Sequence, residues 1–444
     1  MTSPITRIVC AVALGGLLFF NATAARADVV LQWDEIAVRT LTTQTPALNP
    51  FFQARYAAIV QLAVFEAVNT ITGDYQGYLG SAAAGGLTIS APPGSSVDAA
   101  AIQAAYRVLF TYFPASAAAL NADLAASLAL IPNGTAKTNG IGVGEAAAAA
   151  LIALRATDGW SPQTNFLPAA PIDPGEWDIT PGCPTTPLGV QLGGILFNWK
   201  DVRPFGFAPP AAGHWYEPFR PAAPPALTSN EYLKDFNEVK ASGAANSTAQ
   251  QRSAERSANA RFYAATSPTF LFHSVARQLA AARGDSLSEN ARNLAVISIA
   301  TNDALIASFK TKYTEQFWRP YTAIRGAAGD GNDKTDADGT WTAFLATPCF
   351  PSYPSNHASG SNAALETLRR IYGAAGHTIV LSATVPVIGL TTLNYSQLQK
   401  ISDDIDDARV HGGMHFRFDQ VAGGTLGREI ATSVYKNNLQ KVHP

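Results

Sequence analysis

The sequence predicts an all-α protein built as two helical bundles, and three observations predict it. Apolar residues in the alanine-rich first third recur at steps of three and four, the period of a buried helix. A capping box, Ser286-Leu-Ser-Glu289, opens a second helical region that runs to about Tyr313. No segment makes a convincing sheet. Gly373–Leu390, with its β-branched Thr378, Ile379 and Val380, suits a short strand or a loop.

Taken in order, residues 1–27 read as a signal peptide. Arg7 supplies the positive start, Ile8 through Phe20 the apolar core, and Ala25-Arg26-Ala27 a small-x-small cleavage site before Asp28. The mature chain is therefore expected outside the cytoplasm, secreted or periplasmic. Loss of Arg7 and Arg26 takes the formal net charge from −2 to −4. That balance argues against a nucleic-acid partner, which calls for a basic surface. No later stretch reaches roughly 18 consecutive apolar residues, so no integral membrane segment is expected in the mature chain. Cys10 leaves with the signal. Cys183 and Cys349 remain, free or paired, and two cysteines exclude a cysteine-rich zinc or iron–sulfur centre.

Residues 28–158 form the first helical half. Phe51–Asn69 carries Ile59, Leu62, Ala63, Val64 and Ala67 on a helical period, and further helices are expected at Val97–Phe113, Ala115–Leu130 and Gly142–Ala156. Residues 159–225 change character: proline is dense and Trp160, Trp177, Trp199 and Trp215 are spread along them. Tryptophans pin a chain to a core, so this is read as an ordered segment crossing between the halves. Residues 226–444 form the second helical half. Its polar loop Gly329–Gly339 resembles a calcium loop only loosely. Lys334 stands at a ligand position and no closing glutamate follows, so a solvated turn is expected.

Three clusters in this half carry chemistry. The first is Lys312 with Arg319-Pro320: a lysine and an arginine seven apart lie two helical turns apart, and Pro320 bends the chain at Arg319. The second is Pro351-Ser-Tyr-Pro354-Ser355-Asn356-His357, where a helix is expected to begin near His357. Ser355 and Asn356 are natural N-caps, and a helix N-terminus offers free N–H groups to an oxyanion. The third is Arg409-Val-His411-Gly-Gly-Met-His415-Phe-Arg-Phe-Asp419. His415 and Asp419 are i,i+4 if helical, so the carboxylate can hold one ring nitrogen and leave the other as nucleophile or metal ligand. Gly412-Gly413 allows close backbone approach or ends the preceding helix.

In order, K-x6-R-P, P-S-x-H and R-x5-H-x3-D resemble the three-part signature of the vanadium-dependent haloperoxidases and type-2 phosphatidic acid phosphatases, and of the bacterial haloperoxidase-like members in particular. Two positions depart from it: Asn356 stands where glycine is usual, and Ala408 where serine is common. The resemblance implies two helical bundles of the vanadium haloperoxidase type around a tetrahedral oxyanion, vanadate or phosphate. It implies that Lys312, Arg319 and Arg409 neutralise the oxyanion, that Ser355 Oγ and the Asn356 N–H add hydrogen bonds, and that His357 is the acid/base. It further implies that His415 binds vanadium or attacks phosphorus and that Asp419 orients His415. His411 is a candidate just behind the site.

Two reactions use such a site. In one, vanadate is a cofactor, and hydrogen peroxide, halide and an organic acceptor are the partners. In the other, a phosphate ester is hydrolysed through a phosphohistidine. Chain length, the expected soluble mature chain, Phe317-Trp-Arg319-Pro320 and His415-Phe-Arg-Phe-Asp419 favour the haloperoxidase. So does Phe350, five before Ser355, where chloride-oxidising relatives carry an aromatic. A non-catalytic oxyanion-binding protein is the third alternative, and the presence of both histidines speaks against it.

Overall fold

The computed structural model describes residues 28–208 and 211–442, so the expected signal peptide, residues 1–27, lies outside the described residues. The first bundle comprises α1 (Val29–Thr42), α2 (Pro50–Thr72), α3 (Val97–Tyr112), α4 (Ala117–Ala129) and α5 (Thr135–Arg155). Helix α2 is long and apolar enough to cross a membrane, but 94% of its most apolar window is buried at the bundle centre. Its start is set by Asn49, which accepts from Phe51 N–H, and by Pro50 in the first turn; Gly73 ends it in a left-handed conformation.

Helix α5 begins seven residues earlier than the sequence period indicates. Gly140, Gly142 and Gly144 are poor helix formers. Two of them are required by packing rather than by turning: a Cβ at Gly140 would meet Ser96 O at 2.2 Å, and one at Gly144 would meet Ala100 O at 2.4 Å. Backbone-to-backbone approach of α3 and α5 overrides local propensity here.

The second half holds α6 (Asn230–Ser242), α7 (Ala254–Ala265), α8 (Pro268–Arg283), α9 (Leu287–Glu315), α10 (Pro320–Gly326), α11 (Asn356–Tyr372), α12 (Leu398–His411) and α13 (Arg417–Asn437). The capping box is formed as expected: Ser286 Oγ accepts from Glu289 N–H, and Glu289 accepts from Ser286 N–H. Helix α9 is the common axis. It packs on α2 of the first bundle and on α11 and α13 of the second, and one continuous hydrophobic core runs across all of them.

Apart from isolated bridges, the described residues are all-α but for one hairpin. Strands β1 (Ala375–Val385) and β2 (Gly389–Gln397) pair antiparallel, with Thr384 opposite Leu390. Of the strand or loop expected at Gly373–Leu390, the strand is formed as β1; the pairing with β2 was weakly marked because only one face is partly covered, with Ile379, Leu381 and Val385 buried while most of β2 is exposed. Gln278 of α8 acts as a third strand in miniature, its side chain donating to Val380 O and accepting from Val380 N–H, both at 2.9 Å.

Residues 159–208 and 211–225 cross the surface of both bundles. Trp199 is fully buried and packs on Phe51 and Phe52 of α2 at ring separations of 5.9 and 5.4 Å. On the other side Asp303 of α9 accepts from the N–H groups of Phe205 and Gly206, both at 2.7 Å. Cys183 and Cys349 form a disulfide that ties this segment to the chain just before Phe350. In the loop 329–339, Asp330 turns its carboxylate inward, accepting from Asn332 N–H and Thr335 Oγ.

Candidate active site

The site forms where the ends of α9, α11 and α13 meet. Their approach depends on small residues of α13: Gly423 and Gly427 lie against the backbone of Ser355 and Ser359, leaving no room for a Cβ. Behind the site an aromatic cluster of Tyr232, Phe317, Trp318, Tyr353, Phe416 and Phe418 fixes the loops.

Lys312 is fully buried in the last turn of α9. Arg319, also fully buried, is not on that helix. The chain reverses at Gln316 in a left-handed conformation, and Arg319 caps α10 with extended backbone. The two cations therefore converge through a chain reversal, not along one helical face as their spacing indicates. Lys312 Nζ donates to Pro351 O at 2.8 Å and Ser352 O at 2.7 Å. Arg319 donates to Phe350 O and Met414 O, each at 2.8 Å, and its Nη2 has no protein partner. Arg409, at the end of α12, meets only the thioether of Met414 at 3.0 Å, a weak acceptor, and its Nε is unpartnered.

Helix α11 starts as expected. Ser355 is its N-cap, accepting from Ala358 N–H at 3.3 Å, so its own proton is free to point elsewhere. Asn356 and His357 occupy the first turn, where backbone N–H groups lack helical acceptors. Asn356 is buried; its Oδ1 accepts from Ser308 Oγ of α9 at 2.5 Å, and its Nδ2 is unpartnered. The substitution for glycine thus adds a side-chain donor to the site wall.

His415 lies two residues before α13 rather than within it. Its contact with Asp419 is a helix-start geometry and not a helical i,i+4 pair. Asp419 Oδ2 accepts from His415 Nδ1 at 2.8 Å, from Phe416 N–H at 3.1 Å and from Ser352 Oγ at 2.6 Å. Burial lifts the Asp419 carboxyl to about 6, with Ser352, Lys312 and Arg319 pulling it down, so it is ionised at neutral pH. With Nδ1–H committed to Asp419, the Nε2 lone pair faces Arg319 Nη1 at 3.0 Å. That tautomer is assigned from the hydrogen bonds. Gly413, with φ +77° and Gly243 O where a Cβ would sit, makes the turn that delivers His415.

The remaining candidates divide. His357 is half-buried and lines a cavity of about 260 Å³ together with Asn356, Arg409, His415 and Phe350. Phe350 lies 5.3 Å from Lys312 Nζ and 5.1 Å from the Arg319 guanidinium, ring to charge. His411 does not line the inner cavity; the charges that act on it are Asp407, Arg256, Arg417 and Glu238, none of them in the cation cluster. Ser352 was legible only as a spacer between two prolines, yet its hydroxyl is part of the Asp419 network.

Electrostatically the cluster carries more positive than negative charge. Burial draws both Arg319 and Arg409 down to about 9, and burial with the neighbouring guanidinium groups holds Lys312 well below its usual value. Guanidinium stays protonated at neutral pH, and burying such charges is costly unless an anion joins them. Burial, then the same three cations, hold His357 and His415 well below the usual imidazole range, so both are neutral. Three buried cations face one carboxylate, with unpartnered donors on Arg319, Arg409 and Asn356. These residues fit a tetrahedral oxyanion.

Residues 292–444 match the family model of the VCPO second helical-bundle domain. Over 92 residues, 18% of this chain and 14% of the relative's length, the sequence is 34% identical to a vanadium chloroperoxidase of Curvularia inaequalis. Among solved structures, a bacterial vanadium-dependent iodoperoxidase gives a TM-score of 0.74 at 22% identity, covering 92% of this chain and 97% of that one. A holo-type bacterial vanadium-dependent chloroperoxidase gives 0.68 at 18% identity, covering 91% and 95%. The fold is that of the vanadium haloperoxidases, and within it residues 292–444 match the second helical-bundle domain of that type.

Proposed function

We propose that the protein is a vanadium-dependent haloperoxidase. The observation that carries this is the neutral His415, its Nε2 lone pair directed into a buried cluster of three cations beneath a cavity walled by Phe51, Ile195, Leu305 and Phe350. Bound vanadate supplies the Lewis-acid centre at which hydrogen peroxide is activated toward halide. Lys312, Arg319 and Arg409 would hold its oxygens by charge, with Ser355 Oγ and the Asn356 N–H and Nδ2 as further donors. His415 Nε2 would hold the vanadium directly, and Asp419 keeps the ring in the required tautomer. His357 accepts and returns a proton at the mouth, its neutral form being available at working pH. The apolar walls exclude water from the site. The expected secretion of the mature chain remains part of this proposal, because peroxide and halide are then met outside the cytoplasm.

The test is metal analysis of apoprotein incubated with vanadate, with peroxide-dependent halide oxidation and phosphate-ester hydrolysis measured on the same preparation. Stoichiometric vanadium with halide oxidation is expected. Ester hydrolysis without halide oxidation at any pH replaces the proposal with the phosphohistidine phosphatase. Vanadate binding with neither activity leaves a non-catalytic oxyanion-binding protein.

Asn356→Gly tests the added donor. Loss of Nδ2 is expected to weaken vanadate binding about tenfold by calorimetry, equal to ~1.4 kcal/mol. Unchanged affinity would mean that the amide does not reach the oxyanion.

A further inference from the structure

Outside the inner cavity lies a second, much larger space. It is a groove of about 1180 Å³ whose floor is His357, Arg409 and Met414, and it shares Pro50, Pro348, His357 and Arg409 with the inner cavity. Its walls include the end of α1 and the segment before α2 (Leu48), the end of α7 and start of α8 (Phe270), the chain before the disulfide (Leu345, Ala346) and the hairpin (Thr384, Leu390). Among the described residues, Arg409 at the floor is the one lysine, arginine, aspartate or glutamate that lines it; the other polar groups are the His357 imidazole, Ser and Thr hydroxyls and the Gln53 amide.

Vanadate, peroxide and halide are all far smaller than this groove, and pockets of several hundred Å³ and more are the scale of organic ligands. The hairpin wall is fixed in advance. Gln278 holds Val380 from α8, and Tyr395 donates to Asp404 of α12 at 2.7 Å while sharing a hydrogen bond with Tyr263 of α7 at 2.8 Å. Thr384 and Leu390 are partners across the ladder, so they face the groove together, and Leu390 is 75% exposed at its lip.

We propose that this groove binds the organic acceptor of the reaction, an uncharged and largely apolar molecule, and that halogen reaches it there rather than after release into solution. This rests on the haloperoxidase reading. Hydrogen peroxide, halide, one proton and the acceptor's C–H bond give a C–halogen bond and two waters. The halide loses two electrons, the O–O bond is reduced by them, and the proton displaced from carbon ends in water. An acceptor bearing a fixed negative charge would find its only cation at Arg409, already committed to the oxyanion; one bearing a positive charge would find no carboxylate.

Thymol, an electron-rich phenol that is neutral at pH 7, is the probe. Its binding to the vanadate-loaded protein is followed by equilibrium dialysis and saturation-transfer NMR. Vanadate affinity, measured in parallel by calorimetry, verifies that each variant is folded around an intact site. Leu390→Asp puts a charge on the uncharged wall, and Ala346→Trp fills the groove from the opposite side; both positions are exposed. Saturable binding is expected in the parent, with at least tenfold weakening in each variant, and no change in Val387→Asp at the hairpin turn outside the groove. Non-saturable binding, or equal binding in parent and both groove variants, overturns the proposal while leaving halide oxidation to be judged separately. Saturable, variant-sensitive binding in a protein that oxidises no halide keeps the binding site and overturns the transfer step together with the haloperoxidase reading.

Discussion

His415→Ala is expected to abolish tight vanadate retention and halide oxidation together, whereas His357→Ala keeps the first and loses the second. In the proposed site His415 Nε2 would be the direct bond to vanadium, the other groups holding the oxyanion by charge and hydrogen bonding. Its loss should cost on the order of 100-fold or more in retention, ~3 kcal/mol. His357 sits at the cavity wall, so its removal should weaken retention by roughly tenfold. Halide oxidation should fall by about 10²–10⁴, the usual range for a lost acid/base. The measurements are vanadium content after gel filtration and initial rates with saturating peroxide. A phosphatase gives another pattern: both variants stop ester hydrolysis, and vanadate acts only as an inhibitor. Equal vanadium retention in His415→Ala and parent would remove His415 from the metal.

The largest effect on stability is expected at Gly427. A Cβ there would lie 2.1 Å from Ser359 O and 3.0 Å from Ala363 N, both backbone atoms of α11. Neither can move without shifting α11, which Ser355 caps and which carries His357, away from α13, which carries Asp419. Gly427→Ala is expected to lower stability by about 2–4 kcal/mol, at and beyond the usual overpacking range. Oxyanion binding should weaken in parallel. Gly142→Ala is the control: nothing lies within 4 Å of its Cβ position on α5, so a gain of roughly 0.5–1 kcal/mol is expected. Thermal unfolding of both variants reads the difference. A Gly427→Ala protein as stable as the parent would show that the α11–α13 contact is looser than the structure shows.

The sequence carried the all-α fold class, and it placed most candidate site residues on the local elements where they lie. Ser355, His357, Arg409, His415 and Asp419 were legible because their chemistry is local: a cap, a helix start, a carboxylate close enough to an imidazole. The path by which they meet was not. Lys312 and Arg319 share a spacing that looks helical, and the reversal at Gln316 is a positive-φ residue without glycine to announce it. The early start of α5 was hidden by glycines that serve packing with α3. The pairing of β1 with β2 was weakly marked because β2 is mostly exposed and alternates weakly. His411 was misplaced because adjacency in sequence to His415 says nothing across a turn through Gly412 and Gly413. Ser352 and the Asn356 amide act through partners far away in sequence, Asp419 and Ser308.

The bond between Cys183 and Cys349 has a meaning for the lifetime of the catalyst. Cys349 borders the inner cavity, so a free thiol there would stand beside the source of any hypohalous acid and be consumed first. Paired, it is withdrawn from that chemistry. The whole chain contains two methionines, Met1 and Met414, which leaves Met414 as the single thioether among the described residues. If the proposed haloperoxidase activity holds, a protein this poor in soft sulfur gives the oxidant little sulfur to attack, and sulfur oxidation should concentrate at one residue, seen as a gain of about 16 daltons on the peptide carrying Met414.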